Sequence, residues 1–166
     1  MRSLLWSVGY LSVCGVLAHV IGEALPRRWF SPRRSPFAPW RWEQNGNVYR
    51  KLFIHKWKDH LPDMSRICKD MVPKRFDVFP TPEAVERLLA ETCVAEAVHW
   101  GLCLLSAFIP LFWKIHWGFL VALSAILGNL PFIMIQRYNR PQLTALHRRL
   151  TLREERKRNA HSDPDR

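Results

Sequence analysis

Cysteine is sparse in this chain and poorly spaced for chemistry. Four cysteines are spread over 166 residues, and no two form a Cys-x-x-C pair. Cys14, Cys93 and Cys103 stand in apolar runs, and Cys68 stands alone in a basic stretch. This spacing argues against a zinc site or a disulfide framework and for small buried hydrophobes. No metal site is therefore expected. A glycine-rich phosphate loop is missing, as is a Gly-x-Ser-x-Gly elbow, so neither a nucleotide fingerprint nor a serine-hydrolase turn is present. No cofactor is implied. Acid is short too: 14 Asp and Glu face 25 Lys and Arg, for a net charge of +11.

Apolar residues, by contrast, are concentrated. Three blocks, about Leu4–Leu25, Cys93–Trp113 and Ile115–Ile135, each approach the ~20 residues that a helix needs to cross the hydrocarbon core. Only Arg2 precedes the first block. Arg27, Arg28, Arg33, Arg34, Arg41, Arg50, Lys51, Lys56 and Lys58 follow it. Lys114 alone separates the second from the third, and the tail carries Arg137, Arg140, Arg148, Arg149, Arg153, Arg156, Lys157 and Arg158. Because positive loops stay cytoplasmic, the N-terminus is expected outside, with the central loop and the tail inside, in a cell membrane. The first block resembles a secretory signal in having one Arg and an apolar core. It lacks a small-x-small cleavage site, so it reads as an uncleaved anchor.

The expectation is an all-α integral membrane protein of three transmembrane helices, a basic aromatic interfacial cap and a C-terminal amphipathic helix. Its parts are an anchor helix over 1–25, a basic cytoplasmic interfacial segment over 26–80, a long helix with a transmembrane hairpin over 81–136, and a basic tail over 137–166. Pro26, Pro32, Pro36 and Pro39 forbid a continuous helix after the first span, and Trp29, Phe30, Phe37, Trp40 and Trp42 suit the headgroup zone. Between Glu43 and Asp63, residues Leu52, Phe53, Lys56, Trp57 and His60 fall near one helical face, which predicts an interfacial helix stopped by Pro62. Met64–Phe79 shows no period. Thr81-Pro82-Glu83 is a helix start. Gly128-Asn129-Leu130-Pro131 is a candidate kink in the third span. After Pro141, Leu143, Leu146 and Leu150 fall on one side of a helix and arginines on the other. The last few residues are polar and expected to be disordered.

Each span carries polar groups, and their positions agree. His19 and Glu23 share a face near the end of the first. Thr92, Glu96, His99 and Cys103 form a stripe on the second. Asn129 and Gln136, seven apart, share a face of the third, which ends in Gln136-Arg137-Tyr138-Asn139-Arg140-Pro141. Groups so costly in lipid usually face a bundle interior, a cavity or a headgroup. The spacing of three between Glu96 and His99 lets the carboxylate contact the imidazole and poise it as a general base. The bland alternative is a helix-packing hydrogen bond, worth roughly a kcal/mol or less in a membrane. Two other motifs fail. His55 to Asp59 is one residue short of the glycerolipid acyltransferase box, and Glu96-x-x-His99 lacks the second copy that di-iron chemistry requires. The basic loop, set between spans, suits anionic headgroups or a phosphorylated donor rather than nucleic acid.

The chain resembles the glycosyl-diaponeurosporenoate acyltransferases, small membrane proteins of carotenoid glycolipid biosynthesis. Three blocks carry the resemblance. One is Lys51-Leu52-Phe53 with Lys56-Trp57-Lys58 and Leu61-Pro62-Asp63. Another is Glu91-Thr92 with Ala95-Glu96 and His99-Trp100. The third is Asn129-Leu130-Pro131 leading to Gln136-Arg137-Tyr138-Asn139-Arg140-Pro141 and Leu143-Thr144. The N-terminal span matches only around Gly22 and Pro26, and His19, Glu23, His55 and His60 fall outside the matching parts. The resemblance implies a membrane acyltransferase that esterifies a sugar hydroxyl of a glycosylated isoprenoid or other glycolipid, with a lipid acceptor and a fatty acyl donor as partners. On that reading His99, oriented by Glu96, takes the hydroxyl proton, and Gln136 and Arg137 steady the oxyanion. Asn129, Tyr138, Asn139 and Arg140 position substrate, and Lys56, Trp57 and Lys58 hold donor phosphates or a headgroup. Direct transfer is expected, with Cys103 the one candidate for an acyl-enzyme. A non-catalytic subunit that binds glycolipid or scaffolds a pathway predicts the same spans. So does a small multispan lipid methyltransferase, which would need a nucleotide cofactor.

Overall fold

The computed structural model describes residues 2–60, 80–112 and 115–162. Leu61-Pro62-Asp63, the Met64–Phe79 stretch with Cys68, Trp113 and Lys114, and the last four residues lie outside the described residues. In order, the chain forms α1 (Arg2–Ala24), short 3₁₀ turns at Arg27–Trp29 and Arg41–Gly46, then α2 (Asn47–Lys51) and α3 (Ile54–Trp57). A 3₁₀ turn follows at Lys58–His60. Then come α4 (Pro82–Ser106), a 3₁₀ turn at Ile109–Phe112, and α5 (Ile115–Ser162). Among the described residues there is no strand. Three helices are long and apolar enough to cross a membrane: Leu5–Ala24, Pro82–Leu111 and Trp117–Ala160.

The central helix is α4. Thr81 caps it, its hydroxyl accepting from the Ala84 N–H at 3.2 Å, with Pro82 at the first position and Glu83 in the first turn. α1 runs antiparallel to it. The Tyr10 hydroxyl donates to the Leu105 carbonyl at 3.0 Å, and at the other end Arg27 grips Glu91 at 2.9 and 3.1 Å. A narrow seam of Ser7, Cys14 and Gly22 makes this contact. At Gly22 an added Cβ would lie 3.0 Å from Val98, so glycine permits the close approach. The rest of α1, including Trp6, Val13, Leu17 and Ile21, is exposed and apolar. In water such a face would be a liability, whereas in lipid it is the ordinary exterior.

α5 is antiparallel to α4 on its other side, and it is longer than the sequence led us to expect. It passes through Pro131 and Pro141 as a single helix, without a break between the third span and a separate tail helix. Side chains explain this continuity. Arg137 and Arg140, flanking the point where Pro141 removes a backbone donor, are clamped to α4, and the Thr144 hydroxyl donates to the Arg140 carbonyl at 2.9 Å.

The expected interfacial helix from Glu43 is absent in that form. Phe53 takes a left-handed conformation with φ 54°, as do Gln44, Asn45 and Gly46 at 49°, 55° and 90°. The chain is therefore broken into single turns. Leu52 and Phe53 are exposed while Ile54 is fully buried, so the expected shared face does not exist. What drives the break is burial of Tyr49 and Ile54 against Ile135 and Tyr138 of α5, with Trp57 and Met134 packed beside them. A regular helix would not turn both Tyr49 and Ile54 toward α5 (five residues apart, their side chains would point in clearly different directions).

Candidate functional site

Where α1 ends, the proline-rich strap from Pro26 to Trp42 folds back over α4 and α5 and closes on a buried ionic network. The network begins with spacing on α5. Arg137 and Arg140 are three apart and so share a face. On α4, Thr92 and Glu96 are four apart and face them. Arg137 Nε donates to Glu96 Oε1 at 2.7 Å, and Arg140 Nη2 donates to Glu96 Oε2 at 2.6 Å. Arg137 Nη1 reaches Glu43 Oε1 at 2.7 Å, and its Nη2 reaches the Pro36 carbonyl at 2.8 Å. Arg140 Nη1 donates to the Phe37 carbonyl at 2.7 Å, and Nε and Nη2 reach Thr92. The Trp40 ring lies 3.6 Å from the Arg137 guanidinium carbon, a cation–π contact. Glu43 in turn accepts from the Tyr49 hydroxyl at 2.5 Å and from the Trp40 N–H at 2.7 Å. Burial raises the Tyr49 phenol above its ordinary value, and the adjacent Glu43 carboxylate adds to the shift.

Two carboxylates and two guanidiniums thus neutralise one another out of water. Their side chains are only 1–4 % exposed. Glu96, expected to orient His99, has both its oxygens on arginines. Arg137, expected at the oxyanion, donates from all three of its nitrogens within the network, and so does Arg140, expected to position substrate.

His99 sits one turn further along α4, where α5 offers a different partner. The Asn129 amide nitrogen donates to the Ala125 carbonyl at 2.8 Å, which turns Oδ1 toward the ring. His99 Nδ1 lies 2.8 Å from that oxygen. An amide oxygen can only accept, so the ring donates to it from Nδ1. Phe132 stacks on the imidazole at 4.8 Å and 11°, fixing its plane. Asn129, expected to bind substrate, holds His99 Nδ1 in this structure. Gln136 lies on the same face of α5 and is nearly buried, and its amide makes no hydrogen bond to another described residue. Cys103 is buried, its Sγ 3.9 Å from the Ile126 carbonyl.

The remaining expected residues lie outward of this point. Lys58 Nζ donates to Asn139 Oδ1 at 3.3 Å and sits 5.4 Å from the Tyr138 ring. Trp57 is a packing residue whose indole donates to the Leu52 carbonyl at 3.1 Å. Lys56 is exposed over Phe53. Glu23 is exposed near Arg27 at 3.9 Å, and His19 is exposed on α1. Sequence reasoning missed Glu43 and Tyr49. The available signal was that Glu43 is the one acid between Glu23 and Asp59, and an isolated acid in so basic a stretch has a partner to neutralise.

A sequence profile of the glycosyl-4,4'-diaponeurosporenoate acyltransferases matches residues 26–149, about three-quarters of the chain. The chain belongs to this family. Relatives named glycosyl-4,4'-diaponeurosporenoate acyltransferase, from Staphylococcus aureus strains bovine RF122 / ET3-1 and MRSA252, are each 28% identical over 159 residues, covering 93% of this chain and 90% of the relative. No solved structure gives a significant match. The family match spans the strap, α4 and α5 as far as Arg149, so it includes both the ionic network and the His99–Asn129 pair.

Proposed function

We propose that this family member is a membrane acyltransferase that esterifies a sugar hydroxyl of a glycosylated isoprenoid or other glycolipid, working at the cytoplasmic leaflet with its N-terminus outside. The observation that carries this reading is the His99–Asn129 pair, a histidine whose Nδ1 is held by an amide between two membrane-length helices. His99 Nε2 accepts the proton of the acceptor hydroxyl as its oxygen attacks the acyl carbonyl. The tetrahedral intermediate collapses to the ester, and the departing donor group takes the proton back from Nε2. Atoms and charge balance without a covalent enzyme intermediate. Asn129 holds the ring through the cycle, since its Oδ1 stabilises the imidazolium that forms midway. Gln136 is the amide placed to donate to the oxyanion, a contact typically worth ~3 kcal/mol. Asn139, tied to Lys58, stands beside Tyr138 on the outward approach to the acceptor.

The test is lipid mass spectrometry on cells that make a candidate glycolipid and express the wild type or His99→Ala at matched membrane levels. A lipid heavier by one fatty acyl group, seen only with the wild type, supports transfer and identifies the acceptor. Equal accumulation with His99→Ala removes the histidine mechanism. Identical profiles with and without the wild-type chain favour a glycolipid-binding scaffold instead.

A further inference from the structure

Outward of the ionic network, α5 and the broken segment before α3 enclose an open groove of about 480 Å³. We infer that this groove binds the phosphate ester of the acyl donor. Its rim carries a fixed cation and several amide and ring N–H donors. Asn45, Asn47, Arg50, His55 and Gln142 line it, with Tyr138 at its inner wall, and no carboxylate is among the lining residues. The side chains of Asn45, Asn47, Arg50 and His55 make no hydrogen bond to another described residue, whereas Gln142 Nε2 donates to the Tyr138 carbonyl at 3.2 Å. Lys58 sits 5.4 Å from the same Tyr138 ring and adds positive charge. A phosphate ester is rich in acceptors and negatively charged, so it suits such a rim. The fixed charge of Arg50, with Lys58 close by and no carboxylate in the lining, favours an anion over a neutral sugar.

The backbone strengthens the case. Three successive left-handed residues, Gln44, Asn45 and Gly46, are what place Asn45 and Asn47 on the same rim. Non-glycine residues in that conformation cost of order 1–3 kcal/mol each and gather at binding sites. The same breaks that bury Tyr49 and Ile54 against α5 therefore also shape the concave surface of the groove.

Position fixes the kind of donor. Gln142 lies about 20 Å along α5 from Asn129, at 1.5 Å per residue. If His99 is the base, as the proposed function holds, the donor's phosphate and its acyl carbon are separated by a long arm. A coenzyme-A-type thioester has such an arm, whereas in a phospholipid the phosphate lies close to the ester. The inference therefore rests on the proposed function for the acyl group, but not for the phosphate.

The test uses the full chain in nanodiscs of zwitterionic phosphatidylcholine. Binding of the unreactive thioether S-palmityl-coenzyme A is measured directly, and donor KM and kcat are measured with palmitoyl-coenzyme A and, separately, with nanodiscs containing phosphatidylglycerol as the only donor. Arg50→Gln and His55→Gln are each expected to weaken thioether binding about ten-fold and to raise the donor KM with kcat unchanged. Arg50→Lys is expected to recover part of the loss, and Arg153→Gln, an exposed charge elsewhere on α5, to have no effect. If the same variants alter only the phosphatidylglycerol reaction, the phosphate is a lipid headgroup. Unchanged thioether binding and unchanged KM for both donors overturn the groove and leave acyl transfer standing. Arg50-dependent binding by a wild type that transfers nothing supports the groove and overturns the transfer.

Discussion

Changing Glu96 to glutamine removes one charge from a closed network and leaves its shape. Glu96 receives Arg137 Nε at 2.7 Å on one oxygen and Arg140 Nη2 at 2.6 Å on the other. A glutamine has a single oxygen, so its amide nitrogen must face one of the two guanidiniums, donor against donor. The network then holds a net positive charge where the side chains are at most a few per cent exposed. Breaking a buried pair in this way costs about 3–5 kcal/mol. At 2–4 °C per kcal/mol for a chain of this size, the midpoint of thermal unfolding falls by about 6–20 °C. The measurement is tryptophan fluorescence on heating in one detergent, with Arg27→Gln as the comparison. Arg27 pairs with Glu91, both side chains being about a quarter exposed, so solvent screening limits its loss to about 1 kcal/mol or less. Turnover per folded molecule of Glu96→Gln is then expected within a few-fold of wild type, because both Glu96 oxygens are engaged by arginines of the network. A Glu96→Gln chain that unfolds within 3 °C of wild type, on the order of 1 kcal/mol, refutes the account of the network. One that folds normally and is inactive moves Glu96 into the chemistry. A cycle with Glu43→Gln adds a second check. The two acids share Arg137, so their effects are expected to be non-additive by about 0.5–3 kcal/mol.

Asn129→Leu keeps the volume near His99 but removes the acceptor that fixes its tautomer. It is expected to lower kcat by roughly ten- to a hundred-fold with the donor KM nearly unchanged, and an unaltered kcat would show that the pair only packs the helices. Tyr49→Phe deletes the hydroxyl that donates to Glu43 and is expected to cost about 1.5–3 kcal/mol near neutral pH, read from the unfolding midpoint. The sign of its pH dependence is also fixed. The folded phenol holds its proton above the ordinary value of about 10, so its contribution is complete below that pH and is lost as pH rises beyond it. Stability of Tyr49→Phe is therefore expected to fall less steeply than wild type above about pH 10, and parallel alkaline slopes would contradict the assignment.

The spans were legible because each is a long apolar run, and the start of α4 because Thr81-Pro82-Glu83 carries three signals at once. The polar stripe on α4 was legible as well. Its partners were not. Glu96 and His99 are three apart on one helix, and local spacing made them a pair. The structure gives each a partner on α5: two guanidiniums for the Glu96 carboxylate and the Asn129 amide for His99. Sequence spacing reports what one helix can offer, and it is blind to what the facing helix supplies. The break at Phe53 was hidden for a related reason. A helical pattern over Leu52, Phe53, Lys56, Trp57 and His60 exists, but burying Tyr49 and Ile54 against Ile135 and Tyr138 gained more than regular backbone did. The passage of α5 through Pro131 and Pro141 was unreadable because the tertiary clamps that hold it lie far away in sequence.

The proline-rich strap explains why the arginines are there. Prolines at 26, 32, 36 and 39 keep the segment from satisfying its own backbone by helix formation. Its carbonyls therefore need donors from elsewhere, and near a membrane water is a poor supplier. Arg137 and Arg140 donate to the carbonyls of Pro36 and Phe37 while their charges are taken up by Glu43 and Glu96. Each guanidinium has enough N–H groups to serve the strap and α4 at once; lysine, with a single ammonium, would not span both in plane. An arginine pair three apart at the exit of a span, preceded in the chain by a proline and aromatic segment with one acid, thus reads as a clamp between surface strap and hairpin. His99, one turn further along α4, lies outside that clamp and takes its partner Asn129 from α5 instead.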